Sequence, residues 1–166
     1  MNAHAARGLQ VSTPTNTTIV LTRTFNAPRR LVWEAFFTPD KMRRWMIPPP
    51  TWTTTICECE PSVAGALRVV WKTDEADPAM TLHGVFTDVV PHERAIHTEV
   101  MVLGSGQPIG SQVEKHEFTE HGNTTTMRIT QTYNSKAARD GALGSGMDEG
   151  MEACYKQLDT LLAQPA

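Results

Sequence analysis

Between Trp52 and Tyr133 the chain sustains no helical period; its apolar residues come in short β-type runs cut by turn residues. Strands are expected near 53–60, 65–72, 80–89, 94–102, 111–120 and 124–133. The breaks at Pro61 to Ala64, Asp74 to Pro78, Pro91 to Glu93, Gly104 to Gly110 and His121 to Asn123 are all short. A parallel pair needs a crossover of about a dozen residues or more, so these strands must pair antiparallel, as hairpins of a meander. A sheet of this kind buries one face and leaves the other wet.

Residues that alternate along a strand, or oppose each other across a hairpin, share a face. Symmetric turns place Phe86 opposite His97 and Gly84 opposite Glu99. Across the next turn they place His97 opposite His116 and Glu99 opposite Glu114, and across the last they pair His116 with Met127 and Glu114 with Ile129. One face then collects Leu67, Val69, Trp71, Leu82, Phe86, Phe118, Met127, Ile129 and Tyr133, the other Arg68, Lys72, Lys115, Glu117 and Arg128. The apolar face must be the concave one, yet it also carries His97, Glu99, Glu114, His116 and Gln131. Ionisable groups on an apolar face are costly unless paired, hydrated or used. They fit a polar anchor inside a ligand cavity or an acid–base pair, whereas a one-residue slip would turn them all outward. Metal binding by these His and Glu residues is a further option that nothing in their spacing demands, and no metal or cofactor is expected.

The flanking segments complete the domain. Residues 1–17 are small and polar and read as a disordered leader, dispensable for folding. Thr18 to Phe25 alternates as a strand, in which Arg23 shares parity with Ile19, Leu21 and Phe25. Arg23 either points inward or snorkels at an edge, and its long stem favours the edge. Asn26 and Pro28 open a helical segment that Pro39 divides, giving two short helices ending before Pro48-Pro49-Pro50. Trp33 and Trp45 on these helices are expected to pack, with Trp45 also bordering the cavity entrance. Met147 to Ala163 repeats Met147, Met151, Cys154, Leu158, Leu161 and Leu162 at near-helical spacing, a stripe for core packing that can also roof a cavity.

A chain of 166 residues with 40% hydrophobic and 20% charged residues suits one globular domain, here 18–166. A net charge of −3 speaks against a nucleic-acid partner, and no apolar run is long enough to span a bilayer. Without a signal-peptide core the expected location is cytoplasmic. Cys57, Cys59 and Cys154 read as free thiols, the first two on one strand face. His4, His92 and His121 fall in the leader or in turns and carry no assigned role.

Five segments carry a family resemblance: RTFNAPRRLVWEAFFTPDKMRRW at 23–45, Ala64-Gly65 before LRVVW, HGVFTDVVPHER at 83–94, NTTTMRITQTY at 123–133 and GMDEGMEACYKQLDTLLA at 146–163. In order and spacing they make the chain similar to the START-like superfamily, also called SRPBCC or birch-pollen-allergen-like. Within it, the chain resembles the branch related to the C-terminal domain of the activator of heat-shock protein 90 ATPase. The family usually has two glycines where Ala64-Gly65 stands, and often a second tryptophan in place of Met46. The resemblance implies an α+β helix-grip fold: a curved antiparallel sheet wrapped around a long C-terminal helix, with two short helices after the first strand. It also implies a pocket between sheet and helix but supplies no catalytic motif, and the separate N-terminal domain of full-length activators is not expected here.

Function stays open at that level. The leading expectation is binding of a small, mostly apolar or amphipathic molecule, in a cavity lined by Trp71, Phe86, His97, Glu99, Glu114, His116, Met127, Tyr133 and Met151. The alternatives are a cyclase- or hydrolase-type enzyme using the His and Glu residues, and a co-chaperone-like interaction module. A homodimer is left open.

Overall fold

A computed structural model describes residues 8–165. Eight strands form one antiparallel sheet: β1 (Gln10–Ser12), β2 (Thr18–Phe25), β3 (Thr53–Cys59), β4 (Ala66–Lys72), β5 (Met80–Val90), β6 (Arg94–Leu103), β7 (Pro108–His121) and β8 (Thr124–Tyr133). Their spatial order is β1-β2-β8-β7-β6-β5-β4-β3, so the meander runs from β3 to β8 and β2 returns to pair with β8. The sheet stays open, with β1 and β3 at its edges. The expected leader is therefore ordered where it enters the described region, because Gln10–Ser12 pairs with Val20–Thr22; residues 1–7 lie outside the described residues.

The facing of the strands follows the alternation read from the sequence. Leu67, Val69, Trp71, Leu82, Phe86, Phe118, Met127, Ile129 and Tyr133 are all buried, while Arg68, Lys72 and Arg128 are exposed. Phe86 pairs with His97 as expected. The next two registers differ from expectation by two residues. His97 pairs with Glu114 and Glu99 with Gln112, not His97 with His116 and Glu99 with Glu114. Likewise His116 pairs with Ile129 and Glu114 with Gln131, not with Met127 and Ile129. The cause is turn length. β7 begins at Pro108, so the turn before it is shorter than Gly104 to Gly110, and His121 pairs with Thr124 so that Gly122-Asn123 alone close the last hairpin. Gly122 has φ +61°, the left-handed conformation a tight hairpin turn needs. A shift by two preserves the face of every side chain.

The helices are α1 (Arg29–Phe37), α2 (Pro39–Trp45), α3 (Lys136–Gly144) and α4 (Met147–Leu162). Thr38, in an extended conformation, separates α1 from α2, with Pro39 at the start of the second. Pro28, not Asn26, occupies the N-cap of α1. No sequence pattern announces α3, because its glycines, Gly141 and Gly144, weaken its helical signal; Ser135 caps it by accepting a hydrogen bond from the Ala138 N–H at 3.0 Å.

The core joins Ile19, Leu21 and Phe25 of β2 to Phe36 of α1, Trp45 of α2 and Tyr155 and Leu158 of α4. Arg23 points inward, not to an edge: it is 3% exposed and clamps α4 to the sheet. Its Nε donates to Glu152 at 2.9 Å, and Nη1 and Nη2 donate to Asp159 at 2.8 and 2.7 Å. The guanidinium carbon lies 4.8 Å above the Phe25 ring. Burial alone would lower the Arg23 pKa, but the hydrogen bonds and charges of Asp159 and Glu152 outweigh it and raise it. At Glu152 burial pushes the pKa up, yet Arg23 and the Leu9 N–H hold it below the ordinary 4.5.

Two outcomes are expected from this packing. Leu158, fully buried, should cost about 2–5 kcal/mol on substitution by alanine, measured by chemical denaturation; a loss under about 1 kcal/mol would mean that α4 is misfaced. Arg23→Met should cost about 1–3 kcal/mol, since its two partners keep partial solvent access. Because the folded Glu152 pKa is depressed, its stabilisation is present above about pH 4.5 and lost as pH falls through the lower folded value. The acid slope of stability should therefore flatten in Arg23→Met, and an unchanged slope would refute the clamp.

Candidate functional site

A cavity of about 640 Å³ lies between the concave sheet face and the helices α2 and α4. Its body is apolar, with Trp45, Trp52, Leu67, Val69, Trp71 and Met101 among the walls. Met147, Met151, Cys154 and Tyr155 place α4 along one side, so the helical stripe serves both core and cavity. Ile47, in the segment after α2, lines the cavity yet is 50% exposed, which marks where it meets solvent.

The polar lining side chains of the sheet come from three adjacent strands: His97 and Glu99 on β6, Gln112, Glu114 and His116 on β7, and Gln131 on β8. Alternation puts them on one face, and the pairings His97–Glu114 and Glu114–Gln131 make a continuous cross-strand row. His97 Nδ1 lies 3.1 Å from the Thr98 carbonyl oxygen, to which it donates as the N–H tautomer. The two Nε2 atoms of His97 and His116 are 3.2 Å apart, and His116 Nε2 is 3.1 Å from Glu114 Oε2. Gln131 Nε2 donates to Glu114 Oε1 at 2.6 Å and Tyr133 Oη donates to Gln131 Oε1 at 3.1 Å. Gln112 Nε2 bridges the two carboxyls, 3.3 Å from Glu99 Oε1 and 3.3 Å from Glu114 Oε1. His116 Nδ1 is buried without a hydrogen-bond partner, with the ring packed against Phe36 and Phe37.

The two carboxyls are driven apart. Burial raises both, but at Glu114 the hydrogen bonds from His116 and Gln131 and the nearby imidazoles win, so its pKa falls below 4.5 and it is ionised. At Glu99 burial dominates, with only the long Gln112 contact against it, and the Glu114 charge adds to the effect; its pKa is raised well above 4.5. Burial, and then the neighbouring His116, lower the pKa of His97 and keep it neutral. The site thus offers an anionic acceptor, a carboxyl biased toward its protonated form and a neutral imidazole nitrogen within a few ångströms.

Of the residues expected to line the cavity, Trp71, His97, Glu99, Glu114, His116 and Met151 do so. Phe86, Met127 and Tyr133 do not: each is buried on the same face but packs into the core, and Tyr133 acts through Gln131. Sequence reasoning missed Gln112, although it shares parity with Glu114 and His116. Trp45, expected at the entrance, lines the cavity, but its neighbours Met42, Ile47, Pro48 and Pro49 were missed, since no strand alternation can reveal them. Cys57 and Cys59 are free and buried, and burial pushes the Cys59 thiol up to about 12, away from reactivity.

An open curved sheet gripping a terminal helix over an internal cavity defines the helix-grip class of α+β protein. The match of residues 26–163 to the family model described as "Activator of Hsp90 ATPase homolog 1-like protein" shows that the chain belongs to that family. No curated protein matches it. Among solved structures, a protein from Rhodobacter sphaeroides is 26% identical with a TM-score of 0.81, over 93% of this chain and 97% of that one. Protein Ms6760 from Mycobacterium smegmatis is 19% identical with a TM-score of 0.79, over 98% and 99%. A protein from Arthrobacter aurescens is 23% identical with a TM-score of 0.78, over 95% and 92%. The last two likenesses bear on fold alone. No helix of the described residues is long and apolar enough to cross a membrane.

Proposed function

We propose that the protein binds a small amphipathic molecule in this cavity, its apolar body against the Trp and Met walls and one oxygen-bearing head group at the His–Glu–Gln cluster. The observation that carries this reading is the segregation of the lining: an apolar cavity of about 640 Å³ whose sheet-borne polar side chains gather on three adjacent strands. Small-molecule sites commonly span about 300–1,000 Å³ with a few convergent polar groups in an apolar wall. A purely apolar occupant would strip water from these side chains without replacing its hydrogen bonds. Burial favours the protonated form of Glu99, which offers a donor, whereas the ionised Glu114 repels a second anion. A carbonyl or hydroxyl head group therefore fits better than a carboxylate.

Methyl NMR of methionine-labelled protein provides the test, because Met80, Met101, Met147 and Met151 line the cavity. Three probes of matched body suffice: butylbenzene, 4-phenylbutan-1-ol and 4-phenyl-2-butanone. The alcohol and ketone should shift these methyl signals and bind about tenfold more tightly than the hydrocarbon, the equivalent of about 1.4 kcal/mol. Glu99→Leu should erase most of that preference. Equal binding of all three probes, or no methyl shift with any, would refute this reading.

A further inference from the structure

We propose that His97 Nε2, His116 Nε2 and Glu114 Oε2 form a three-ligand site for one divalent first-row transition ion of the zinc type, with its open position facing the cavity. The three atoms already stand close to coordination spacing. They are separated by 3.2 Å between the nitrogens, 3.1 Å from His116 to Glu114 and 3.9 Å from His97 to Glu114. Zinc held at about 2.0–2.1 Å by N and O ligands in tetrahedral geometry sets its ligand atoms about 3.3 Å apart. The imidazole centroids lie 5.2 Å apart, so the two Nε2 atoms are the facing edges of the rings. Two of the three ligands are directly paired residues, and the third sits two positions along the same strand, so the frame is the rigid interior of the sheet.

The surrounding hydrogen bonds orient two of the three ligands as a metal would require. His97 gives its Nδ1–H to the Thr98 carbonyl, which leaves Nε2 as the free lone pair. Glu114 Oε1 is held by Gln131 and Gln112, with Gln131 fixed in turn by Tyr133, and this leaves Oε2 toward the imidazoles. Without a cation the cluster is poorly satisfied. A single proton on His116 Nε2 must serve both His97 Nε2 and Glu114 Oε2. No lysine or arginine lines the cavity among the described residues, so a buried carboxylate lacks a permanent counter-charge there. A dication supplies that charge and accepts all three lone pairs at once. Two imidazoles and one carboxylate form a borderline donor set, suited to zinc, cobalt or iron in the divalent state rather than calcium or magnesium. Three protein ligands leave room for water or a cavity-bound oxygen in the remaining position. This inference does not depend on the amphipathic ligand.

The test uses the full chain, treated with chelator, desalted and titrated with zinc by calorimetry and with cobalt by visible absorption. One ion per chain is expected, with cobalt bands of nitrogen and oxygen ligation and no thiolate charge-transfer band. Glu114→Gln, which keeps side-chain shape, should weaken binding at least tenfold, and His116→Ala similarly. Cys57→Ser with Cys59→Ser should leave it unchanged. Zinc should also shift the Nε2 resonances of His97 and His116 in the wild-type protein, a readout that needs no variant to fold. Absence of saturable binding, unchanged affinity in folded Glu114→Gln, a cobalt thiolate band, or unmoved histidine resonances would each overturn the site. These readouts contain no organic ligand, so their failure leaves the amphipathic reading standing, and failure of the methyl titration leaves the metal site standing.

Discussion

The hydrogen bond from Gln131 to Glu114, at 2.6 Å, ties together the row on which the cavity chemistry depends. It runs directly across the β7–β8 pair and fixes the carboxylate that the two imidazoles approach from the other side. Buried polar groups on a hydrophobic face are tolerable only when their partners are fixed in place. Here the partners are neighbours in the sheet, so they are held by the same backbone ladder that forms the fold. The site therefore adds little ordering cost beyond that of the strands themselves.

Two ends of the same concave surface are solved differently. At one end, Phe25 and Leu158 close the core, and the Arg23 guanidinium holds α4 through two carboxylates. Toward the other, α4 presents Met147, Met151 and Cys154 to open volume. The helix is thus anchored where it packs and free to line a cavity where it does not. Trp45 links the regions: its indole N–H donates to the Ala35 carbonyl at 2.8 Å while its ring packs near Phe36 and Tyr155. Its anchorage to α1 allows a large aromatic wall beside the cavity without collapse into it.

The architecture and the facing of its side chains were legible in the sequence because both depend on parity. Period-two alternation placed His97, Glu99, Glu114 and His116 on the buried face, and a register error of two residues left that placement intact. The partners across each strand were not legible, since they depend on where a turn is centred, and Gly104 to Gly110 admits several centres. The short edge strand Gln10–Ser12 was hidden because three residues show no period. The convergence of His97, His116 and Glu114 was also hidden. Histidine spacing along one helix can announce a metal site, but these ligands meet across a ladder whose register the sequence alone leaves open.

That register has a physical reason of its own. The pairing expected from symmetric turns would set His97 against His116 and Glu99 against Glu114, two like pairs on an apolar face. The observed pairing sets His97 against Glu114, Glu99 against Gln112 and Glu114 against Gln131, so each carboxyl faces a group able to donate to it or to share its proton. Both registers bury the same apolar residues and would satisfy the hydrophobic core equally well. Beside the turn lengths, what separates them is the cost of two buried carboxyls side by side, which the Gln112 and Gln131 amides relieve. The polar cluster that marks the cavity therefore also selects the strand register, and a chain with this cluster replaced by leucines would lose a reason to choose one pairing over the other.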